Sequence, residues 1–193
     1  MAVVPRFLAR GECERLARRG LALARAGALR PAAIGRGRER QRRPEIRGDL
    51  VRWIDPHAPS HVEARVLARV ERLRRALNQR LQLGAFTLEL HWALYPPGAY
   101  YARHVDQPRS GSARVVSLVL YLNEGWSAAD GGALRVHREG AAPLDVLPHA
   151  GTLVAFRSQG IAHEVLPARR ERLALTGWLR RRPDAPSTLA PTP

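Results

Sequence analysis

Two stretches in the first half of the chain carry apolar residues at helical spacing. They cover residues 12–29 and 60–83, and arginine occupies many of the remaining positions. In the second stretch the apolar positions are Val62, Val66, Leu67, Val70, Leu73, Leu77 and Leu81. Apolar residues that recur every three to four positions predict an amphipathic helix with one buried face. We therefore predict two helices whose arginine-bearing faces are solvated.

A period of two replaces the helical period from Thr87 onward. One face carries Leu88, Leu90, Trp92 and Leu94, and the other carries Thr87, Glu89, His91 and Tyr95. This alternation predicts a half-buried strand. Further strand-like runs, separated by the turn-rich pieces PPG, ADGG and PHAG, cover residues 50–54, 114–123, 133–137, 152–156, 163–166 and 172–180. Short strands with such connections favour an antiparallel sandwich or jelly roll, packed here against the two helices.

Length and composition set the domain organisation. The chain has 193 residues, 45% of them hydrophobic, which suffices for one core but not for two ordinary domains. We predict a single domain over residues 1–182, with a helical, basic part at 1–83 and a jelly-roll core at 84–182. Residues 35–48, GRGRERQRRPEIRG, combine high charge with Gly and Pro and predict a mobile loop. Residues 183–193 have the composition of a disordered tail.

The positive charge is concentrated in the first half of the chain. All 32 basic side chains are arginine, and 17 acidic residues leave a formal net charge of +15. Residues 1–83 carry 20 arginines against 8 acidic residues, and the remainder carries 12 against 9. Such an imbalance is typical of nucleic-acid-binding proteins. An arginine-only, alanine-rich chain also indicates a bias in amino-acid usage, and the sequence lacks RNP aromatics and zinc-finger spacing, so a nucleic-acid-binding module is the less favoured alternative.

The number of cysteines and the lengths of the apolar segments indicate the cellular compartment. Cys13 is the single cysteine, which excludes an internal disulfide framework and a multi-cysteine zinc site. Apolar runs such as residues 115–122 are far shorter than the roughly 20 residues of a membrane-spanning helix. We therefore expect a cytoplasmic protein that is neither exported nor embedded in a membrane.

Three residues have side chains of the types that bind metal ions. His104 and Asp106 are two positions apart, and in an extended segment such residues point to the same side. His163, at the start of a predicted strand, supplies a distant imidazole. Two histidines and one carboxylate form the facial triad of non-haem Fe(II) oxygenases, which leaves three coordination positions open. The other histidines have no partner at ligand spacing and are predicted to be surface or hydrogen-bonding residues: His57, His61, His91, His137 and His149.

An arginine on the last predicted strand is a candidate for binding a carboxylate. By alternation, Arg172 shares a face with Thr176 and Trp178. A guanidinium pairs bidentately with a carboxylate, which suits a dicarboxylate in a barrel mouth. Sequence position does not distinguish Arg172 from Arg169, Arg170 or Arg180, and a solvated surface arginine is the alternative.

Several motifs, in order, together resemble one enzyme family. They are IRGDLVRWID, YPPGAYYARHVDQP, YLNEGW, GGALRV, LVAFRS, HEVLP and RLALTGW. The set resembles the Fe(II)/2-oxoglutarate oxygenases, and most of all a prokaryotic-looking member of the oxygen-sensing prolyl hydroxylases, whose animal members act on a hypoxia-inducible transcription factor. The resemblance implies a mostly β fold in which a double-stranded β-helix, or jelly roll, packs against two N-terminal helices. It also implies Fe(II), 2-oxoglutarate and O2, with ascorbate as an optional reductant.

The resemblance assigns roles to individual residues. It makes His104, Asp106 and His163 the iron ligands. For 2-oxoglutarate it assigns Arg172 and Tyr121 to the distal carboxylate, and Tyr95 and Thr176 to the metal-bound end. At the substrate entrance it implies a wall at Trp178, a packing position at Trp53, and an Arg-Gly-Asp loop base at Arg47 and Asp49 with Arg114 as salt-bridge partner.

The reaction that the resemblance implies is hydroxylation of a C–H bond, most often of a prolyl residue in a protein substrate, with release of succinate and CO2. A carboxylate at Asp106 favours hydroxylation over halogenation, because related halogenases lack that ligand. The loop departs from the family in its many arginines at positions 36–43, which predicts an acidic or extended polypeptide partner. A hydroxylase of a free amino acid or other small molecule, with the same iron chemistry, is the alternative within enzymes.

Overall fold

The computed structural model of the protein describes residues 1–35, 41–106 and 113–182. Within these ranges it contains two α-helices, one short 3-10 helix at Ala128–Asp130 and eleven strands. The helices are α1 (Arg10–Arg25) and α2 (His61–Leu81). The strands are β1 (Ala2–Val4), β2 (Arg30–Pro31), β3 (Leu50–Trp53), β4 (Thr87–Tyr95), β5 (Tyr101–His104), β6 (Arg114–Tyr121), β7 (Leu134–Arg138), β8 (Ala141–Val146), β9 (Leu153–Arg157), β10 (His163–Val165) and β11 (Arg172–Arg180).

The strands form two antiparallel sheets. The larger sheet has the order β1-β9-β6-β11-β4-β3-β2, and the smaller has the order β5-β10-β7-β8. A cluster of buried side chains joins the two sheets, with Val119 and Ala174 from the larger and Leu134, Val136 and Val165 from the smaller. This arrangement confirms the predicted jelly-roll core.

Both helices cover the outer face of the larger sheet. Leu16 and Val66, from α1 and α2, belong to one buried cluster with Trp92 and Leu175 of the sheet. A Cβ on Gly20 of α1 would lie 2.8 Å from the Trp92 ring, so the helix approaches the sheet at van der Waals distance only because this residue is glycine. The predicted packing of two helices against a β core is confirmed.

A capping box fixes the start of α2 and ties it to the sheet. The Glu63 carboxylate accepts hydrogen bonds from the Ser60 backbone N–H at 2.8 Å and from the Ser60 hydroxyl at 2.6 Å. Its other oxygen accepts one from Trp92 Nε1 at 2.8 Å. One buried carboxylate therefore satisfies a helix terminus and an indole of the core. In the described part of the chain, neither helix is long and apolar enough to cross a membrane.

The structure differs from the predicted elements at several places. Helix α1 ends at Arg25 rather than at position 29, and Gly27 follows in a left-handed conformation at φ 64°. Strands β1, β2, β5 and β8 were not predicted, because none of them shows a clean alternation of apolar and polar residues. The predicted tail and positions 36–40 of the predicted loop lie outside the described residues.

The burial of strand β4 differs from the prediction. The strand was predicted to be half-buried, but from Leu90 to Tyr95 it is buried on both faces. The helices cover the face that carries Trp92, and the smaller sheet and the cavity beside it cover the face that carries His91. Burial on both faces places polar side chains of β4 inside the protein, where the candidate site lies.

Candidate metal centre and adjoining cavity

A cavity of about 400 Å³ opens between the two sheets and collects most of the predicted site residues. Its lining includes Arg47, Asp49, Trp53, Tyr95, His104, Asp106, Arg114, His163, Arg172, Thr176 and Trp178. Tyr121 is fully buried, and its ring centroid lies 5.1 Å from the Arg172 guanidinium carbon. Residues that lie up to 131 positions apart in sequence therefore share one site.

The three predicted metal ligands lie together on the smaller sheet. Strand β5 pairs with β10, and this pairing sets His104 directly opposite His163. Asp106 follows β5 in a bend, with one carboxylate oxygen 3.7 Å from His104 Nε2 and the other 3.8 Å from His163 Nε2. One ligand atom from each residue can be chosen so that all three lie within 4.8 Å of one another. This is close enough for a single ion to touch all three.

Backbone carbonyls orient both imidazoles. Nδ1 of His104 lies 2.8 Å from the Ala102 carbonyl oxygen, and Nδ1 of His163 lies 3.1 Å from that of Ile161. A carbonyl only accepts, so each Nδ1 carries the proton and each Nε2 keeps its lone pair. Burial, and then the neighbouring His104, lower the pKa of His163. The neutral imidazole is the form that binds a metal.

Two serines support the carboxylate. The Ser117 hydroxyl donates a hydrogen bond to Asp106, and the Ser158 hydroxyl lies 2.9 Å from that of Ser117. Burial alone would raise the pKa of Asp106, but the neighbouring His104 and His163 side chains and the Ser117 hydroxyl together lower it. Asp106 is therefore held as a carboxylate. Neither serine was predicted from the sequence; the available signal was that Ser117 shares one face of β6 with Val119 and Tyr121.

The closed end of the cavity is built around Arg172. Its side chain is 1% exposed, and its Nε donates to the Gly132 carbonyl at 2.8 Å. The guanidinium carbon lies 5.1 Å from the ring centroids of both Tyr95 and Tyr121. Arg172 Nη2 and the Tyr121 hydroxyl are buried with no hydrogen-bond partner among the described residues. Burial raises the pKa of Tyr121 to about 12, so the phenol is neutral and able to donate.

A glycine makes room for this arginine. Gly132 has φ 68°, and a Cβ there would lie 2.9 Å from the Ala168 Cβ and 3.2 Å from the Arg172 Cδ. Both the backbone conformation and the close approach therefore require glycine. The three other arginines of this region lie elsewhere: Arg169 is exposed, Arg170 lies over the Trp126 ring, and Arg180 pairs with Glu89.

The open end of the cavity carries charged and aromatic groups. Arg47 and Asp49 form a two-pronged ion pair at 2.6 and 2.9 Å, and the Asp49 side chain is fully buried. The Arg114 guanidinium carbon lies 3.4 Å from the Trp178 ring centroid, and its Nε lies 3.6 Å from Glu89. The Asp49 carboxylate thus has Arg47 as its guanidinium partner, while Arg114 packs on the aromatic wall.

The environment of His91 differs from the prediction. This residue was expected to be a surface or hydrogen-bonding histidine, but it is 1% exposed, and neither ring nitrogen has a partner in the part of the chain that the structure describes. It lines the cavity, with its ring centroid 4.7 Å from that of Trp53 and 5.6 Å from that of Trp178. The period-two pattern already placed it on the same face as Tyr95, which was the signal available in the sequence.

Comparison with known proteins agrees with this geometry. Residues 90–180 match the family model described as the 2OG-Fe(II) oxygenase superfamily. A crystal structure of a prolyl-4-hydroxylase from Pseudomonas putida is 45% identical, with a TM-score of 0.85 over 94% of this chain and 92% of the other. A prolyl hydroxylase from Trichoplax adhaerens, solved with a hypoxia-inducible factor peptide fragment, is 26% identical, with a TM-score of 0.83 over 93% and 82% of the two chains.

A human protein is also similar over part of its length. Egl nine homolog 1 from Homo sapiens is 36% identical over 143 residues, which are 69% of this chain and 33% of the human protein. The chain therefore spans about a third of the length of this relative.

Proposed function

The chain belongs to the 2OG-Fe(II) oxygenase superfamily, and from this membership we propose that it is an Fe(II)- and 2-oxoglutarate-dependent dioxygenase that hydroxylates a prolyl residue of a protein substrate. The observation that carries the proposal is the arrangement within one cavity. Three metal-type ligands lie at one side, and a buried arginine with an unsatisfied N–H group lies at the closed end.

The ligand set fits Fe(II). Two imidazole nitrogens and one carboxylate oxygen suit a first-row divalent ion, and three protein ligands leave positions for a co-substrate and for O2. His104 and His163 would bind through Nε2, since their Nδ1 atoms are engaged by carbonyl oxygens. Asp106 would bind as the carboxylate that Ser117 holds in place.

The closed end fits the far carboxylate of 2-oxoglutarate. Arg172 Nη2 and the Tyr121 hydroxyl are both buried donors without a partner among the described residues, and an unsatisfied buried donor costs about 1–3 kcal/mol. A carboxylate between them would satisfy both donors at once. Tyr95 and Thr176 line the route from this end toward the triad, where we assign them to the rest of the co-substrate.

Within this assignment, the protein binds and orients the co-substrate and keeps water out of the site. Arg172 and Tyr121 fix one end of the co-substrate, and the apolar walls around them exclude water. Reduction of O2, coupled to decarboxylation of bound 2-oxoglutarate to succinate and CO2, supplies the oxidising power that replaces C–H by C–OH. Trp178 and Arg114 at the open end would set where the substrate C–H bond lies.

A polypeptide substrate is the favoured class. Pseudomonas putida and Trichoplax adhaerens relatives are prolyl hydroxylases, and the second was solved with a peptide. The open end presents aromatic and paired charged groups that an extended chain can contact. The arginines at 36–43 add positive charge beside it in sequence, and we retain the hypothesis that they favour an acidic segment. The free, buried Cys13 suits the reducing cytoplasm, where we propose that the enzyme acts.

One experiment tests the proposal. The protein is loaded with Fe(II) and 2-oxoglutarate without oxygen, mixed with cell lysate, exposed to ¹⁸O2 and followed by mass spectrometry. We expect ¹⁸O on proline residues of a small number of proteins. Succinate formation with labelled free amino acids and unlabelled proteins would favour the small-molecule alternative and refute a protein substrate.

A further inference from the structure

His91 is a buried polar residue that the proposed chemistry does not use. It lies in the middle of β4, paired across the sheet with Thr176 of β11 on one side and Trp53 of β3 on the other. Its side chain is 1% exposed, and both ring nitrogens lack a hydrogen-bond partner among the described residues. A leucine or methionine here would avoid that desolvation penalty, so retention of an imidazole calls for a polar partner that binds in the cavity.

An aromatic pair encloses this imidazole. The His91 ring lies 4.7 Å from the Trp53 ring and is stacked on the Trp178 ring at 5.6 Å. Trp178 Nε1 is also buried and unpartnered in the described part of the protein. Trp53, in contrast, is 49% exposed. One of the two rings that pack on the imidazole is therefore at the surface, while the imidazole itself lines the cavity.

Three residues that line the cavity, together with Tyr121 beside Arg172, carry unsatisfied polar groups, and these four residues fall into two pairs. Arg172 and Tyr121 form the pair at the closed end, and His91 and Trp178 form the pair toward the opening. The cross-strand partner of His91 is Thr176, four residues beyond Arg172 and therefore about 13 Å further along β11. A dicarboxylate held by Arg172 accounts for the first pair. The second pair is left for the other reactant, the substrate.

The protonation state of His91 limits what it can bind. Burial, followed by the positive charge of Arg47, lowers the pKa of His91 to about 3. The ring is therefore neutral, with one N–H donor and one acceptor nitrogen. Successive groups of a polypeptide backbone offer both acceptors and donors, whereas a carboxylate or a phosphate would pair with the ring N–H alone and leave the acceptor nitrogen unsatisfied.

We propose that His91 is a substrate-binding residue that hydrogen-bonds a backbone peptide group of the polypeptide next to the residue being hydroxylated. Trp53 packs against the same segment, while Trp178 Nε1 donates to a second carbonyl. This inference rests on the function proposed above, because it requires a polypeptide in the open end of the cavity. It adds a determinant for polypeptide backbone to the metal and co-substrate groups.

The test compares three variants with the wild-type enzyme. His91→Leu removes both hydrogen-bonding nitrogens, His91→Gln retains a donor and an acceptor, and His57→Leu is the matched control on the surface. Each enzyme is given the same lysate, Fe(II), 2-oxoglutarate and ¹⁸O2, and label per protein site is divided by succinate formed. Uncoupled succinate formation without lysate, the KM for 2-oxoglutarate and the melting temperature are measured in parallel.

We expect His91→Leu to lower label per succinate at least about tenfold, the effect of one lost hydrogen bond to a buried group. Any change in its KM for 2-oxoglutarate should be smaller than the fall in label per succinate, because Arg172 and Tyr121 hold the co-substrate, and its melting temperature should not fall. His91→Gln should recover part of the label, and His57→Leu should match wild type.

Other outcomes overturn the inference in distinguishable ways. Wild-type labelling by His91→Leu would show that His91 contacts no substrate, as would a raised KM for 2-oxoglutarate with unchanged label per succinate, which would assign His91 to the co-substrate. A wild-type enzyme that forms succinate but labels no protein would refute the proposed polypeptide function itself, and the assignment of His91 with it.

Discussion

The imidazoles of His104 and His163 lie opposite each other on adjacent antiparallel strands, with ring centroids 4.2 Å apart. Both belong to the smaller sheet, whereas Ser117, which supports the third ligand Asp106, belongs to the larger one. The centre is therefore complete only when the two sheets are packed together. Metal binding and folding of the core should be coupled, since a bound ion stabilises the state that binds it.

Removal of one imidazole tests the metal assignment. His163→Ala should abolish Fe(II) binding, and succinate formation should fall by more than the 10–100-fold typical of losing an outer-shell partner. Anaerobic titration with Fe(II) and an assay of succinate measure the two effects. His149→Ala, at an exposed histidine, is the matched control. Full succinate formation by His163→Ala would show that the metal is bound elsewhere.

The serine pair behind Asp106 should tune the metal centre. Ser117→Ala removes the hydroxyl that donates to the carboxylate, and loss of such a partner typically weakens metal affinity by about 10–100-fold. Ser158→Ala acts one hydrogen bond further away and should have the smaller effect. Fe(II) dissociation constants measured for both variants check the order. Equal affinities in wild type and Ser117→Ala would mean that Asp106 needs no support.

Gly132 should control co-substrate binding through Arg172. In Gly132→Ala the new Cβ would crowd Ala168 and the Arg172 stem, so the guanidinium shifts and the KM for 2-oxoglutarate rises. Gly140→Ala is a sharp control, since Gly140 has a similar φ of 66° but nothing within 4 Å of its Cβ position. Both variants should lose about 1–2 kcal/mol of stability from the left-handed backbone. Only Gly132→Ala should raise the KM.

The buried carboxylate of Glu63 should make stability depend on pH. Burial alone would raise its pKa, but hydrogen bonds from Ser60 and Trp92 lower it below the ordinary value of 4.5. A pKa that is lower in the folded state stabilises the protein above the unfolded pKa, and this stabilisation is lost as pH falls through the folded pKa. At pH 7, Glu63→Gln should lower the free energy of unfolding by about 1–3 kcal/mol.

The difference in free energy of unfolding between wild type and Glu63→Gln should then become smaller below pH 4.5, because the wild-type carboxylate takes up a proton there. Urea unfolding at several pH values measures it. Glu139→Gln, at an exposed glutamate, should follow wild type throughout. A constant difference from pH 7 down to pH 3 would contradict the assignment.

The sequence contains the ligands of the centre but not the pairing that joins them. His104, Asp106 and His163 could be found because their residue types and spacing are distinctive. Strand β5 could not, because the four residues Tyr101–His104 show no alternation and gain their place from pairing with β10. Ser117 and His91 were missed for a related reason. Whether a polar residue on a strand faces solvent or a cavity depends on what covers that face, and this is decided by packing.

Substitution of Arg172 has clearly different expected effects if the residue binds the co-substrate and if it lies on the surface. A surface arginine could be replaced by alanine with a change in stability of no more than about 0.5 kcal/mol and with catalysis intact. The structure buries it with one N–H group unsatisfied, so we expect Arg172→Ala to lose the affinity of a charge-assisted pair, on the order of 2–5 kcal/mol in 2-oxoglutarate binding. Arg172→Lys keeps the charge but cannot form a bidentate pair, so its affinity for 2-oxoglutarate should lie between those of wild type and Arg172→Ala.

The control for this series is Arg169→Ala, at an exposed arginine three positions away. Fe(II) binding should persist in all three variants, because no triad residue is altered. The KM for 2-oxoglutarate and the Fe(II) dissociation constant, measured separately, distinguish loss of the clamp from collapse of the site. An unchanged KM in Arg172→Ala would remove this residue from the site. Arg170, over Trp126, and Arg180, on Glu89, would then be tested, although reaching the cavity would require either to give up those contacts.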